Sequence, residues 1–130
     1  MKLTKPDLIR TAAYAAGYID GEGCITVSGR RCRIMVSNTY PHTLYWLRSV
    51  FGGTVSMKND KSRPEHHRPA YSWSISGKAA SDMLEICMPY LQEKRKQARL
   101  ALEYVGTDGL DARKKIGKLI SALKHKTHGA

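Results

Sequence analysis

Ala15-Ala16-Gly17-Tyr18-Ile19-Asp20-Gly21-Glu22-Gly23 is the stretch whose reading decides the fold. With Ala13 just before it, Gly17 and Gly21 recur every fourth residue, and a helix of about 3.6 residues per turn sets all three on one stripe. Glycine inside a helix costs roughly 0.5–1 kcal/mol relative to alanine, so the pattern calls for a close contact that offsets it. A second helix packed backbone to backbone supplies that contact. Asp20 and Glu22 fall at the C-terminal end of this helix. The helix dipole is negative there and disfavours a carboxylate by about 0.3–1 kcal/mol, a placement that a bound cation would offset.

Working outward, Thr4-Lys5-Pro6-Asp7 has the marks of a helix start, with a capping position before Pro6 and an acid in the first turn. Leu8, Ile9, Tyr14, Tyr18 and Ile19 then give this helix apolar contacts on several sides, so it is expected to be buried at an interface. Beyond it the period changes to two. Residues 24–29 and 31–38 read as paired strands joined by a short Gly29-Arg30 turn. Ile25, Val27, Cys32, Ile34 and Val36 would point one way, and Thr26, Ser28, Arg30, Arg31, Arg33 and Met35 the other.

Residues 41–51 return to helical spacing through Leu44, Leu47, Val50 and Phe51, with Gly52-Gly53 as the stop. Residues 54–58 and 70–76 alternate again. Val55, Met57, Tyr71, Trp73 and Ile75 form the apolar side, and Thr54, Ser56, Lys58, Ser72, Ser74 and Ser76 the polar side. The tip between these strands, with Lys61, Arg63, Arg68, Pro64, Pro69 and the pair His66-His67, is too polar for a core and reads as a solvated basic loop. A helix follows from Gly77-Lys78, is reset by Pro89 and resumes near Glu93 to end at Gly106. After the break at Thr107-Asp108-Gly109, residues 110–126 form a basic amphipathic helix with Ile116, Leu119, Ile120 and Leu123 on one face. The order of elements is α+β, αββαββα, in a single domain over residues 1–130 with 107–130 as a basic helical extension.

The balance of 22 Lys plus Arg against 11 Asp plus Glu, a formal +11, favours a polyanionic partner, and nucleic acid is the leading candidate. No segment approaches the roughly 20 apolar residues of a spanning helix, so no membrane partner is expected. Residues 1–10 carry charges without a continuous apolar stretch or cleavage signal, which points to an intracellular protein, cytoplasmic or organellar. Cys24, Cys32 and Cys87 lack metal-site spacing and are expected to be small core residues.

A four-stranded twisted sheet fits along a duplex, and arginines on its polar face can donate bidentately to guanine O6 and N7. Arg30, Arg31 and Arg33, with Thr26, Ser28, Met35, Ser56, Lys58, Ser72 and Ser74, are the expected DNA-reading set. Lys61, Arg63 and Arg68 are expected on phosphates. The same alternation also suits an ordinary half-exposed antiparallel sheet that binds nothing.

The nine residues 15–23 resemble the signature motif of the LAGLIDADG homing endonucleases, with alanine in the first position, Tyr18 in the fourth and Glu22 in place of the more usual second aspartate. The likeness runs over residues 13–105, including Phe51-Gly52-Gly53 and Pro89-Tyr90-Leu91-Gln92-Glu93-Lys94. A single motif resembles the branch of the family that forms homodimers by pairing this helix across a two-fold axis. The resemblance implies a four-stranded antiparallel DNA-binding saddle with helices on its other face, and a dimer interface through Ala13, Gly17, Asp20 and Gly21. It implies that Glu22, helped by the Gly21 carbonyl, ligates Mg²⁺, that Mn²⁺ substitutes, and that Ca²⁺ supports binding without cleavage. Lys94 falls where the family has a lysine near the attacking water, and Asn38 where it has a polar residue at the end of the second strand; both are catalytic by resemblance. His42 stands where an arginine can occur. The implied activity is cleavage of a long, near-palindromic duplex site, leaving short 3′ overhangs. Two other classes remain open: a protein of the same fold that binds without cutting, such as a maturase on intron RNA or a DNA-binding regulator, and a non-specific basic coating protein. Glu22 and Lys94 favour the enzyme over the second class, and strand alternation disfavours the third.

Overall fold

The structure is a computed structural model that describes residues 4–58 and 69–128. Helix α1 (Lys5–Glu22) leads into strands β1 (Gly23–Ser28) and β2 (Arg31–Asn38), then α2 (His42–Phe51), β3 (Thr54–Lys58) and β4 (Ala70–Ser76). Helix α3 (Lys78–Cys87), a single 3-10 turn (Met88–Tyr90), α4 (Arg95–Val105) and α5 (Leu110–His128) complete the chain. The strands form one antiparallel sheet in the order β1-β2-β4-β3. The architecture is the expected α+β saddle of four antiparallel strands with helices against it.

Local chemistry sets the element ends. Thr4 caps α1 by accepting from the Asp7 amide at 3.2 Å, with Pro6 in the first turn. The β1-β2 turn places Gly29 at φ 56° and Arg30 at φ 71°, the sign of φ that a two-residue type I′ hairpin turn needs at both positions. Arginine tolerates that region less readily than glycine. Its guanidinium is held from outside, donating at 2.8 Å to Asp108 in the linker before α5. Both partners are well exposed, so the pair locates the turn more than it stabilises the fold. At the end of α2, Gly53 stands at φ 88°, and a Cβ there would meet the Ser74 carbonyl at 2.5 Å; the Gly52 carbonyl accepts from the Trp73 indole at 2.9 Å.

Strand parity puts Ile25, Ile34, Val36, Trp73 and Ile75 on one side of the sheet, where they are buried against Ala15, Ala16 and Ile19 of α1, Leu44 and Leu47 of α2, and Met83 and Leu84 of α3. Cys32 and Cys87 join this core, and burial pushes the Cys87 thiol up to about 12. Cys24 does not join it. It pairs with Met35 on the opposite side from Ile25 and is exposed, which corrects its expected place in the core. Helix α5 returns Ile116 and Ile120 to the same core, so the basic tail packs with the rest of the fold, while Leu119, expected on the same face, is 55% exposed. A Cβ on Gly117 would lie 4.0 Å from Val27, which places α5 beneath the outer strand β1. Among the described residues no helix is long and apolar enough to cross a membrane.

Candidate functional site

The other side of the sheet carries little that needs burial. Cross-strand register pairs Ser28 with Arg31, Thr26 with Arg33 and Cys24 with Met35, and continues through Met35 with Ser74, Ser37 with Ser72, Ser72 with Ser56 and Ser74 with Thr54. Lys58 lies at the end of the outer strand, opposite Ala70. Three steps of about 4.8 Å between strands make this polar face about 14 Å across. That is comparable to the roughly 12 Å width of the major groove. Arg31 and Arg33 project from an inner strand, two residues apart and on the same face, and both are exposed.

Of the expected DNA-reading residues, Thr26, Ser28, Arg31, Arg33, Met35, Ser56, Lys58, Ser72 and Ser74 share this face. Arg30 departs from the set, because it sits in the turn with its guanidinium on Asp108. Lys61, Arg63 and Arg68, with His66 and His67, lie outside the described residues. Cys24, Ser37, Thr54 and Ser76 belong to the face and were absent from the expected set. Strand parity alone was sufficient to include them.

At the end of α1 two acids diverge. Asp20 and Glu22 are two residues apart in a helix, about 200° around its axis, so they face nearly opposite ways. Asp20 turns toward the segment before α4, where its Oδ2 accepts from the Gln92 amide at 2.7 Å and its Oδ1 from the Lys94 amide at 3.0 Å. The Lys94 ammonium reaches back and donates to the Asp20 carbonyl at 2.6 Å. Asp20 is therefore engaged within its own chain. Glu22 is exposed and, among the described residues, has no hydrogen bond or ion pair.

Asn38 closes the opposite end of β2 from Arg31. Its amide nitrogen donates to the Tyr18 hydroxyl of α1 at 2.9 Å, and its oxygen accepts from the Tyr40 amide at 3.1 Å. Parity sets Asn38 with Val36, on the helix side of the sheet. Its visible work is to join β2 to α1. The stripe Ala13, Gly17 and Gly21 is exposed along α1, and a Cβ at either glycine would meet nothing within 4 Å. Ile9, one turn earlier at 46% exposure, extends that open face, while Ala12, Ala15, Ala16 and Ile19 bury the other side of the helix.

Solved structures of the homing endonuclease I-CvuI share the fold at a TM-score of 0.70. One, in complex with its target in the presence of Ca, is 23% identical and covers 89% of this chain and 83% of that chain. The other, in complex with the I-CreI target in the presence of Mg with the DNA not cleaved, is 25% identical with the same coverage and TM-score. No protein-family model matches the chain. No curated protein matches it either.

Proposed function

We propose that this chain is a site-specific, divalent-metal-dependent DNA endonuclease that works as a homodimer. The observation that carries the reading is the junction of α1 with β1: an exposed Glu22, with no hydrogen bond or ion pair among the described residues, ends the helix that opens directly into the polar-faced sheet. Two features around that junction support it. The Lys94 ammonium is fixed at the same helix end. The fold is that of I-CvuI, whose solved structures hold target DNA in the presence of Ca or Mg.

On this reading the duplex lies along the polar face, where Arg31 and Arg33 read guanine edges and Thr26 and the serines make tolerant contacts. Two copies pair through Ala13, Gly17 and Gly21, which brings two α1 ends under the duplex, one for each strand. The Glu22 carboxylate and Gly21 carbonyl are hard oxygen donors that suit Mg²⁺. Among the described residues no group of three His, Cys, Asp or Glu could hold a metal, so the chain offers a partial shell to be completed by phosphate oxygens and water. That mix is the usual one for Mg²⁺. Such an ion supplies charge stabilisation on the phosphate and a more acidic water. Hydrolysis adds water at phosphorus and breaks one phosphorus–oxygen bond, and the departing oxygen gains a proton. Lys94 contributes a positive charge, and protons to donate, near that exchange. Short 3′ overhangs follow if the two α1 ends cut across the minor groove.

The test is Glu22→Gln, which keeps size and removes the anion. Duplex affinity in Ca²⁺ should hold or tighten, since repulsion between the paired acids and the phosphates is relieved. Single-turnover cleavage in Mg²⁺ of a randomised site library should fall by orders of magnitude. Near-normal cleavage by the purified variant would place the active site elsewhere. Tight, selective binding by the wild type with no cleavage of any library member would leave the binding-only class.

A further inference from the structure

Asp20 is the acid whose place at the end of α1 called for a cation, yet the structure satisfies it without a metal. The last turn of α1 has no basic residue of its own, and its carbonyls are the negative end of the helix. Helix α4 begins with the opposite need. Its N-cap residue, Lys94, makes no side-chain capping bond, and no acid lies in its first turn. Asp20 and Lys94 supply each other. The Asp20 carboxylate accepts from the amides of Gln92 and Lys94 at 2.7 and 3.0 Å, and the Lys94 ammonium donates to the Asp20 carbonyl at 2.6 Å. These three hydrogen bonds close a reciprocal clamp between segments more than 70 residues apart.

We infer that Asp20 is the positioning residue for Lys94. The inference rests on the endonuclease reading and deepens it. Residues 91–94 are neither helix nor strand, and Leu91 anchors only their first position in the core. The two amides bound by Asp20 fix the remainder. A lysine side chain has four rotatable bonds and many rotamers, so an ammonium held at one point needs both ends of the residue fixed. Asp20 fixes the backbone end by its carboxylate and the ammonium end by its carbonyl. The lysine is thus set beside the helix end that bears Glu22 before any DNA arrives. Glu22, facing the other way around the helix, is left free of this clamp.

Asp20→Asn replaces one acceptor oxygen by a donor, so the side chain can no longer receive both amides. In the free protein, hydrogen exchange at the Gln92 and Lys94 amides should accelerate about tenfold or more, a readout independent of metal and cleavage. Duplex affinity in Ca²⁺ should stay within about twofold, and single-turnover cleavage in Mg²⁺ should fall about tenfold to a hundredfold. In the Lys94→Met background the same change should cost nothing further, because its effect runs through Lys94. Asp20→Glu keeps the anion and should recover part of the rate; it also serves if Asp20→Asn does not fold. Unchanged amide exchange, full cleavage by Asp20→Asn, or losses that multiply with Lys94→Met would each overturn the inference while leaving the endonuclease reading intact. A wild type that cleaves nothing overturns both.

Discussion

Gly17→Ala separates two accounts of α1 by the sign of its effect. In one chain the position faces open space, and a Cβ would meet nothing within 4 Å. The substitution there acts only through helix propensity, and an interior alanine for glycine stabilises by about 1 kcal/mol. For a domain of this size that is a rise of about 3–6 °C in Tm. If two copies pair along Ala13, Gly17 and Gly21, the same methyl enters the closest part of the helix contact, and the two-fold axis makes it two methyls per dimer. Overpacking costs about 1–3 kcal/mol for each intrusion into a packed region. The propensity gain of about 1 kcal/mol per chain is the same in the free monomer and in the dimer, so it cancels in the dissociation equilibrium. The dimer is left weaker by about 2–6 kcal/mol, or roughly thirtyfold to on the order of ten-thousandfold in dissociation constant.

The assay pairs sedimentation equilibrium with thermal melts across a range of protein concentration, with and without duplex. The expected pattern is a variant that melts higher when dilute and dissociates more readily, with Gly17→Leu preventing association altogether. A wild type that stays monomeric at micromolar concentration both free and on DNA would refute the paired-helix reasoning. So would a Gly17→Ala variant that gains stability at every concentration with its association unchanged.

Arg33→Ala should relax base preference at symmetric positions by about 1–3 kcal/mol per contacted pair, whereas Lys58→Ala should weaken all sequences alike and shallow the salt dependence by about one ion; competition binding over a site library measures both. Cys24 is exposed on the polar face and should react with a maleimide in the free protein and be protected on duplex, while Cys87 stays unlabelled in either state. Burial raises the Cys87 thiol from 9.0 to about 12, so the unfolded chain ionises first as pH rises; this contribution to stability is whole below 9.0 and is lost toward 12. Urea midpoints of wild type and Cys87→Ala should therefore converge between about pH 8 and about pH 10, at up to roughly 1.4 kcal/mol per pH unit. Gly53→Ala places a Cβ 2.5 Å from the Ser74 carbonyl at φ 88°. It should cost about 2–4 kcal/mol in a urea melt.

Period and punctuation made most of the sheet legible. Residues 54–58 and 70–76 were readable to their ends because apolar and polar side chains alternate there, and Gly29-Arg30 marked the hairpin because a two-residue turn needs positive φ. Cys24 was misplaced when residue type was set above parity: it is one position from buried Ile25, and on a strand one position is the other face. The place of α5 was hidden by its lysines and by the Gly-rich break before it, which reads as a boundary although Ile116 and Ile120 cross into the core. Arg30 stands in the turn and meets Asp108, a partner that no local rule connects to it.

The acids at the end of α1 show why a local rule can be right in kind and wrong in assignment. Dipole reasoning held that carboxylates at a helix C-terminus need a compensating positive group, and it applied that need to Asp20 and Glu22 together. In space, two residues along a helix is more than half a turn, and the needs separate. Asp20 meets the segment that leads into α4, where the Gln92 and Lys94 amides and the Lys94 ammonium answer it, so at that position the positive group is part of the protein. Glu22 points away from that helix start and, among the described residues, has no hydrogen bond or ion pair at the junction with the sheet. Of the two, only the second has a carboxylate still free to accept something from outside the chain. The same helix buries Ala12, Ala15, Ala16 and Ile19 in its own core and leaves Ala13, Gly17 and Gly21 bare on another side. A shift along the bare side would therefore carry Glu22 with it, which ties assembly to chemistry through one rigid element.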